Sequence, residues 1–89
     1  MAKFKQAADV QGTAVGDRVV LFHRRTQKSI VLNPTGAALW NALSSPLSAE
    51  DMAAHLVASH ADLTEARAAD DVSRYIAQLS EQELIAVDV

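Results

Sequence analysis

The three histidines are the residues best suited to chemistry, and their spacing speaks against it. His55 and His60 are five apart, which on a helix turns them to different faces, and His23 sits in a strand-like stretch that implies no third ligand. The sequence has no cysteine, which removes disulfides, thiolate zinc sites, iron-sulfur ligation and cysteine nucleophiles together. Serine, histidine and aspartate all occur, but there is no Gly-x-Ser-x-Gly elbow, no Gly-rich phosphate loop and no His-Glu-x-x-His helix. We therefore expect no metal, no cofactor and no enzymatic activity, and look for a binding function instead.

Charge gives that function a direction. Residues 1 to 32 carry six Lys or Arg against two Asp, a balance of +4, whereas residues 33 to 89 carry two Arg against nine Asp or Glu, a balance of -7. A basic first third can attract an acidic peptide within about a Debye length of roughly 8 Å. The same numbers oppose nucleic acid, although Arg24-Arg25 could touch phosphates in a DNA-binding regulator. The second helix expected below has no Lys or Arg, and the third has two Arg among at least four acids.

The elements that must position a binding site follow from length and patterning. At 89 residues the chain forms one domain with a modest core. Hydrophobic residues make up 49% and aromatics 4%, so small and aliphatic side chains must fill it. Residues 1–9 show no periodicity and read as a flexible lead-in to a single domain over 10–89. They contain no apolar h-region, and no run of about 18 apolar residues occurs anywhere. A soluble, cytoplasmic protein without a membrane partner is expected.

Val10 to Val15 and Arg18 to His23 read as strands joined by Gly16-Asp17, a strong hairpin signal. Arg24 to Gln27 turns the chain into a third strand, Lys28 to Leu32, with Lys28, Ile30 and Leu32 on one face and Ser29 and Val31 on the other. Asn33-Pro34 opens a helix, as an N-cap followed by proline at the first position, with Ala37, Trp40 and Leu43 turned inward. A lone Trp in this position is a core anchor, not a ligand platform. Pro46 ends that helix, and Ser48 with Asp51 three residues on begins a second one burying Met52, Leu56 and Val57. A third helix starts at Asp62 or Thr64, buries Val72, Ile76 and Leu79, and is followed by an extended tail, Leu84 to Val87. Three strands followed by three helices make an α+β fold.

The run Leu32-Asn33-Pro34-Thr35-Gly36-Ala37-Ala38-Leu39-Trp40, together with Ser48-Ala49-Glu50-Asp51 and the closing Leu84-Ile85, resembles the PqqD-like family, also called RiPP recognition elements. The similarity spans about residues 12 to 86. The resemblance implies a winged-helix-like domain in which a three-stranded antiparallel sheet precedes three helices. It also implies that the leader of a ribosomally made precursor peptide adds as a strand beside Lys28 to Leu32, in a groove walled by the third helix. A partner enzyme would then receive the peptide. Such partners include a radical SAM enzyme, as in PQQ biosynthesis, or a leader protease, as in lasso-peptide maturation. The first strand departs from the quinone-pathway protein itself, which tends to carry a Trp there.

Strand addition needs only unpaired main-chain groups and side-chain pockets. Either Ser29 and Val31, or the alternate set Lys28, Ile30 and Leu32, would face the peptide. On the third helix Asp71, Tyr75 and Gln78 occupy the flank beside the buried stripe, with Arg67 and Arg74 farther round. Arg74 or Lys28 could pair with an acidic leader residue, and Tyr75 offers an apolar body with a polar tip. A scaffold subunit of a biosynthetic complex is the other binding reading, and a homodimer through the strand edge is compatible with each.

Overall fold

The computed structural model describes residues 2–60 and 62–88. Its elements, in order, are β1 (Lys3–Gln6), β2 (Val10–Val15), β3 (Arg18–His23), β4 (Ser29–Leu32), α1 (Pro34–Ala42), β5 (Leu47–Ser48), α2 (Ala49–Ser59), α3 (Glu65–Glu81) and β6 (Ile85–Asp88). They form two three-stranded antiparallel sheets, one ordered β5-β1-β6 and the other β2-β3-β4, with three helices. This is the α+β architecture expected.

The second sheet is the expected meander. Val15 pairs with Arg18 across a two-residue loop, and Gly16 takes the φ of 64° that the first central residue of such a loop needs. The four-residue turn after β3 is held from inside. The buried His23 ring accepts from the N–H groups of Arg25 (3.2 Å) and Thr26 (3.3 Å) at Nδ1, and Gln27 supplies a left-handed φ of 60°. His23 thus keeps the turn in shape.

Helix starts are where the sequence placed them. The Asn33 side chain accepts from the Gly36 N–H with Pro34 at the first position, and Ser48 with Asp51 forms a reciprocal capping box. Thr64 caps α3 by accepting from Arg67 N–H, which settles the choice between Asp62 and Thr64. Leu21, Leu43, Met52, Val72 and Leu79 are among the most deeply buried side chains, and Trp40 is buried with them. Each such aliphatic side chain contributes roughly 1.5–3 kcal/mol through burial.

The start of the chain corrects an expectation. Residues 1–9 are not merely a lead-in, because Lys3–Gln6 is the central strand of the first sheet, between Leu47–Ser48 and Ile85–Asp88. Phe4 packs against the core, and Gln6 Nε2 donates to the Trp40 carbonyl at 2.8 Å. The tail after Leu84 is extended as expected, but it is paired in this sheet. The partners are more than forty positions away in sequence, so a local pattern carries no trace of them.

Candidate functional site

β4 lies at one edge of its sheet, and among the described residues it is hydrogen-bonded as a strand to β3 on one side only. Its main-chain polarity follows from one bond: the His23 N–H donates to the Lys28 carbonyl at 2.9 Å. Antiparallel ladders alternate, so with Leu21 opposite Ile30 and Val19 opposite Leu32, residues 28, 30 and 32 turn their N–H and C=O groups to β3. Ser29 and Val31 turn theirs to the open edge. That selects one of the two sets left open by sequence. The side chains divide accordingly, with Leu32 buried, Ile30 half-buried and Val31 62% exposed on the outer face.

Past Leu32 the chain enters α1, whose first turn meets α3. A Cβ built on Gly36 would lie 3.4 Å from Tyr75 Cε1, 3.3 Å from Asn33 Oδ1 and 3.5 Å from Leu32 Cβ, so this glycine lets strand, cap and helix converge. The Tyr75 hydroxyl donates to the Gly36 carbonyl at 3.0 Å, and burial pushes its pKa well above the ordinary tyrosine range. The result is an open cleft of about 330 Å³ beside the end of β4, lined by Asn33, Thr35, Gly36, Leu39, Leu56, Asp71, Arg74, Tyr75 and Gln78.

Of the helix residues expected at a groove wall, Asp71, Arg74, Tyr75 and Gln78 come together in this cleft. Arg67 is exposed on the same stripe of α3, nearer its start, and does not line it. Lys28, Ser29, Ile30, Val31 and Leu32 form the open edge leading to it. Arg74 is not a free cation: its guanidinium lies 2.6 Å from Asp71 and 3.0 Å from Asp70, so this end of the site is net acidic. At the other end of β4, Arg25 pairs with Asp9 and Glu83, while among the described residues Lys28 and Arg24 make no ion pair.

Sequence reasoning missed Asn33, Thr35, Gly36, Leu39 and Leu56 as lining residues. The signal was available in the Asn33-Pro34-Thr35-Gly36 block, which reads first as a helix cap although a glycine in a first turn also marks a close approach. Among the described residues no group of three His, Cys, Asp or Glu is placed to hold a metal, and no helix is long and apolar enough to cross a membrane. What the geometry offers is a strand edge with donors and acceptors in register, next to a cleft for alternate side chains.

Such an arrangement, an edge strand of a small antiparallel sheet running into a helix-walled cleft, defines a winged-helix-like α+β domain. The family model of coenzyme PQQ synthesis protein D (PqqD) matches residues 18–85, and the chain belongs to that family. Two solved structures share the fold. TbiB1 in complex with the TbiA(beta) leader peptide superposes with a TM-score of 0.84 at 22% identity, over 91% of this chain and 93% of that one. Lasso peptide synthetase B1 complexed with the leader peptide gives 0.79 at 20% identity, over 93% and 96%. No curated protein matches the chain.

Proposed function

We propose that this protein is a non-catalytic peptide chaperone. It captures the leader of a ribosomally synthesised precursor along β4 and presents it to a modifying enzyme, such as a radical SAM protein or a leader protease. The observation that carries the reading is the open edge of β4, where Ser29 and Val31 offer unpaired main-chain groups beside the cleft of Gly36, Asp71, Tyr75 and Gln78. An extended peptide gains ladder hydrogen bonds there, and its alternate side chains are read by the cleft. Belonging to the PqqD family, and sharing a fold with two leader-complexed proteins, support the same role. No step of it needs a nucleophile, a cofactor or a metal, and capture of a newly made precursor suits a cytoplasmic protein.

The test is a titration of isotope-labelled protein with the precursor peptide encoded beside it, following backbone amides. The expected outcome is a contiguous set of shifts over Lys28 to Leu32 and over Asp71 to Gln78. Shifts elsewhere with these residues unmoved would refute the site, and absence of binding to the adjacent precursor would refute the function.

A further inference from the structure

The face of the β2-β3-β4 sheet opposite the core is not uniform. Val19, Leu21, His23 and Leu32 turn inward, so the alternate residues form the outer face in two cross-strand rows. One row is Thr13, Val20 and Val31, and the other is Gln11, Phe22 and Ser29. On β2 both rows are polar. Toward the open edge of β4 they become apolar, with Val20 half-buried, Phe22 42% exposed and Val31 62% exposed. Because 21 with 30 and 19 with 32 are the hydrogen-bonded pairs, Phe22-Ser29 and Val20-Val31 are the non-hydrogen-bonded ones, in which side chains stand closest. Ser29 is the short member of its row, which leaves the Phe22 ring open toward the edge.

We propose that this outer face is a second reading surface for the bound leader, which places two apolar side chains on it, two residues apart. One packs against the Val31 methyls and the other reaches over Ser29 to the Phe22 ring. The inference rests on the strand-addition reading of β4 and adds the side of the peptide that the cleft does not see. Ser29 and Val31 turn their main-chain groups to the open edge and their side chains to the outer face. A strand bonded to them, running in either direction, therefore turns the residues level with 29 and 31 to that face and the one between them inward beside Ile30. The residue level with Val31 meets a β-branched neighbour at a Cβ separation of about 4.5–5.5 Å, which suits Val or Ile. The one level with Ser29 must span two strand spacings, roughly 9–10 Å, to meet Phe22, which suits Leu, Met or an aromatic. A single added strand covers only the apolar half of the face, whereas a broad protein surface would also have to cover Gln11 and Thr13.

Side-chain substitutions that leave the main chain intact test the surface, in full-length protein titrated with the leader of the adjacent precursor. Val31→Thr keeps the shape of the side chain and every ladder group but adds a hydroxyl, and it should weaken binding about threefold to tenfold. Phe22→Thr should do the same. Val15→Thr lies on the same face but on the far strand, 57% exposed, and should leave affinity unchanged. In the wild-type complex, nuclear Overhauser contacts should run from the Val31 methyls and the Phe22 ring to two leader residues separated by one. Amide shifts at Ser29 and Val31 are followed in the same samples. If those amides shift while Val31→Thr and Phe22→Thr bind as the wild type does, the outer surface is refuted and strand addition stands. If those amides do not shift, both are refuted. An equal loss in Val15→Thr would replace the leader with an occupant spanning the whole face. Val31→Thr carries the test even where Phe22→Thr fails to fold.

Discussion

Tyr75 is the residue at which the fold and the candidate site are hardest to separate. Its ring flanks Gly36, its hydroxyl holds the first turn of α1, and it lines the cleft. Burial raises its pKa above the ordinary value of 10.0. Below that value both the folded and the unfolded chain keep the proton. Above it the unfolded chain ionises while the folded one does not, so stability is intact up to about pH 10 and is lost as pH rises further. Tyr75 is the sole tyrosine, so tyrosinate absorbance reads this group alone. Ionisation should appear only with alkaline unfolding, and Tyr75→Phe should remove the alkaline slope while costing about 0.5–1.5 kcal/mol at neutral pH for the lost hydrogen bond. Titration of the folded protein near pH 10 would contradict this. That Tyr75 has an apolar body and a polar tip was readable from its type alone, but not that the tip is bonded to Gly36. His23 was similar: its place in a strand was readable, but not its Nδ1 bonds to the following turn.

Among the elements, those defined by neighbouring residues were legible and those defined by distant pairing were not. β2, β3 and the first two helix caps follow from Gly16-Asp17, Asn33-Pro34 and Ser48 with Asp51, all of which act over a few positions, while the third start was narrowed to Asp62 or Thr64 and the Thr64 cap decides it. β1 was missed because Lys3–Gln6 has one large apolar side chain and finds its partners at Leu47–Ser48 and Ile85–Asp88. β4 was legible as a strand, but its outward set required the His23 to Lys28 bond. That bond yields a prediction with an internal control. Proline at Ser29 or Val31 removes an N–H facing the open edge, so each variant should stay folded and bind the leader more weakly by roughly 1 kcal/mol or more. Proline at Ile30 removes an N–H facing β3 and should lower the melting temperature instead. Isothermal titration beside thermal denaturation separates the two effects. A Val31→Pro variant that folds and binds normally would rule out strand addition at β4.

At the scale of the whole molecule, the charge asymmetry of the sequence becomes a gradient along the site. Lys28 directly precedes β4 and Arg24 directly follows β3, and neither makes an ion pair among the described residues, whereas Arg74, at the cleft, is already shared between Asp70 and Asp71. The same formal charge therefore does different work at the two ends. An acidic residue of a bound leader should be placed toward Lys28, and Arg74 should contribute little because a leader carboxylate would compete with two resident ones. Exposed pairs contribute about 0–1 kcal/mol each, so Lys28→Ala should weaken binding of an acidic leader by up to about fivefold, and Arg74→Ala by much less. Raising salt from about 0.05 to 0.5 M should lower wild-type affinity and narrow the gap to Lys28→Ala, since screening acts on the exposed cation. Fluorescence anisotropy of a labelled leader at several salt concentrations measures all three. A larger loss from Arg74→Ala than from Lys28→Ala would reverse the orientation of the peptide's acidic residue along the edge.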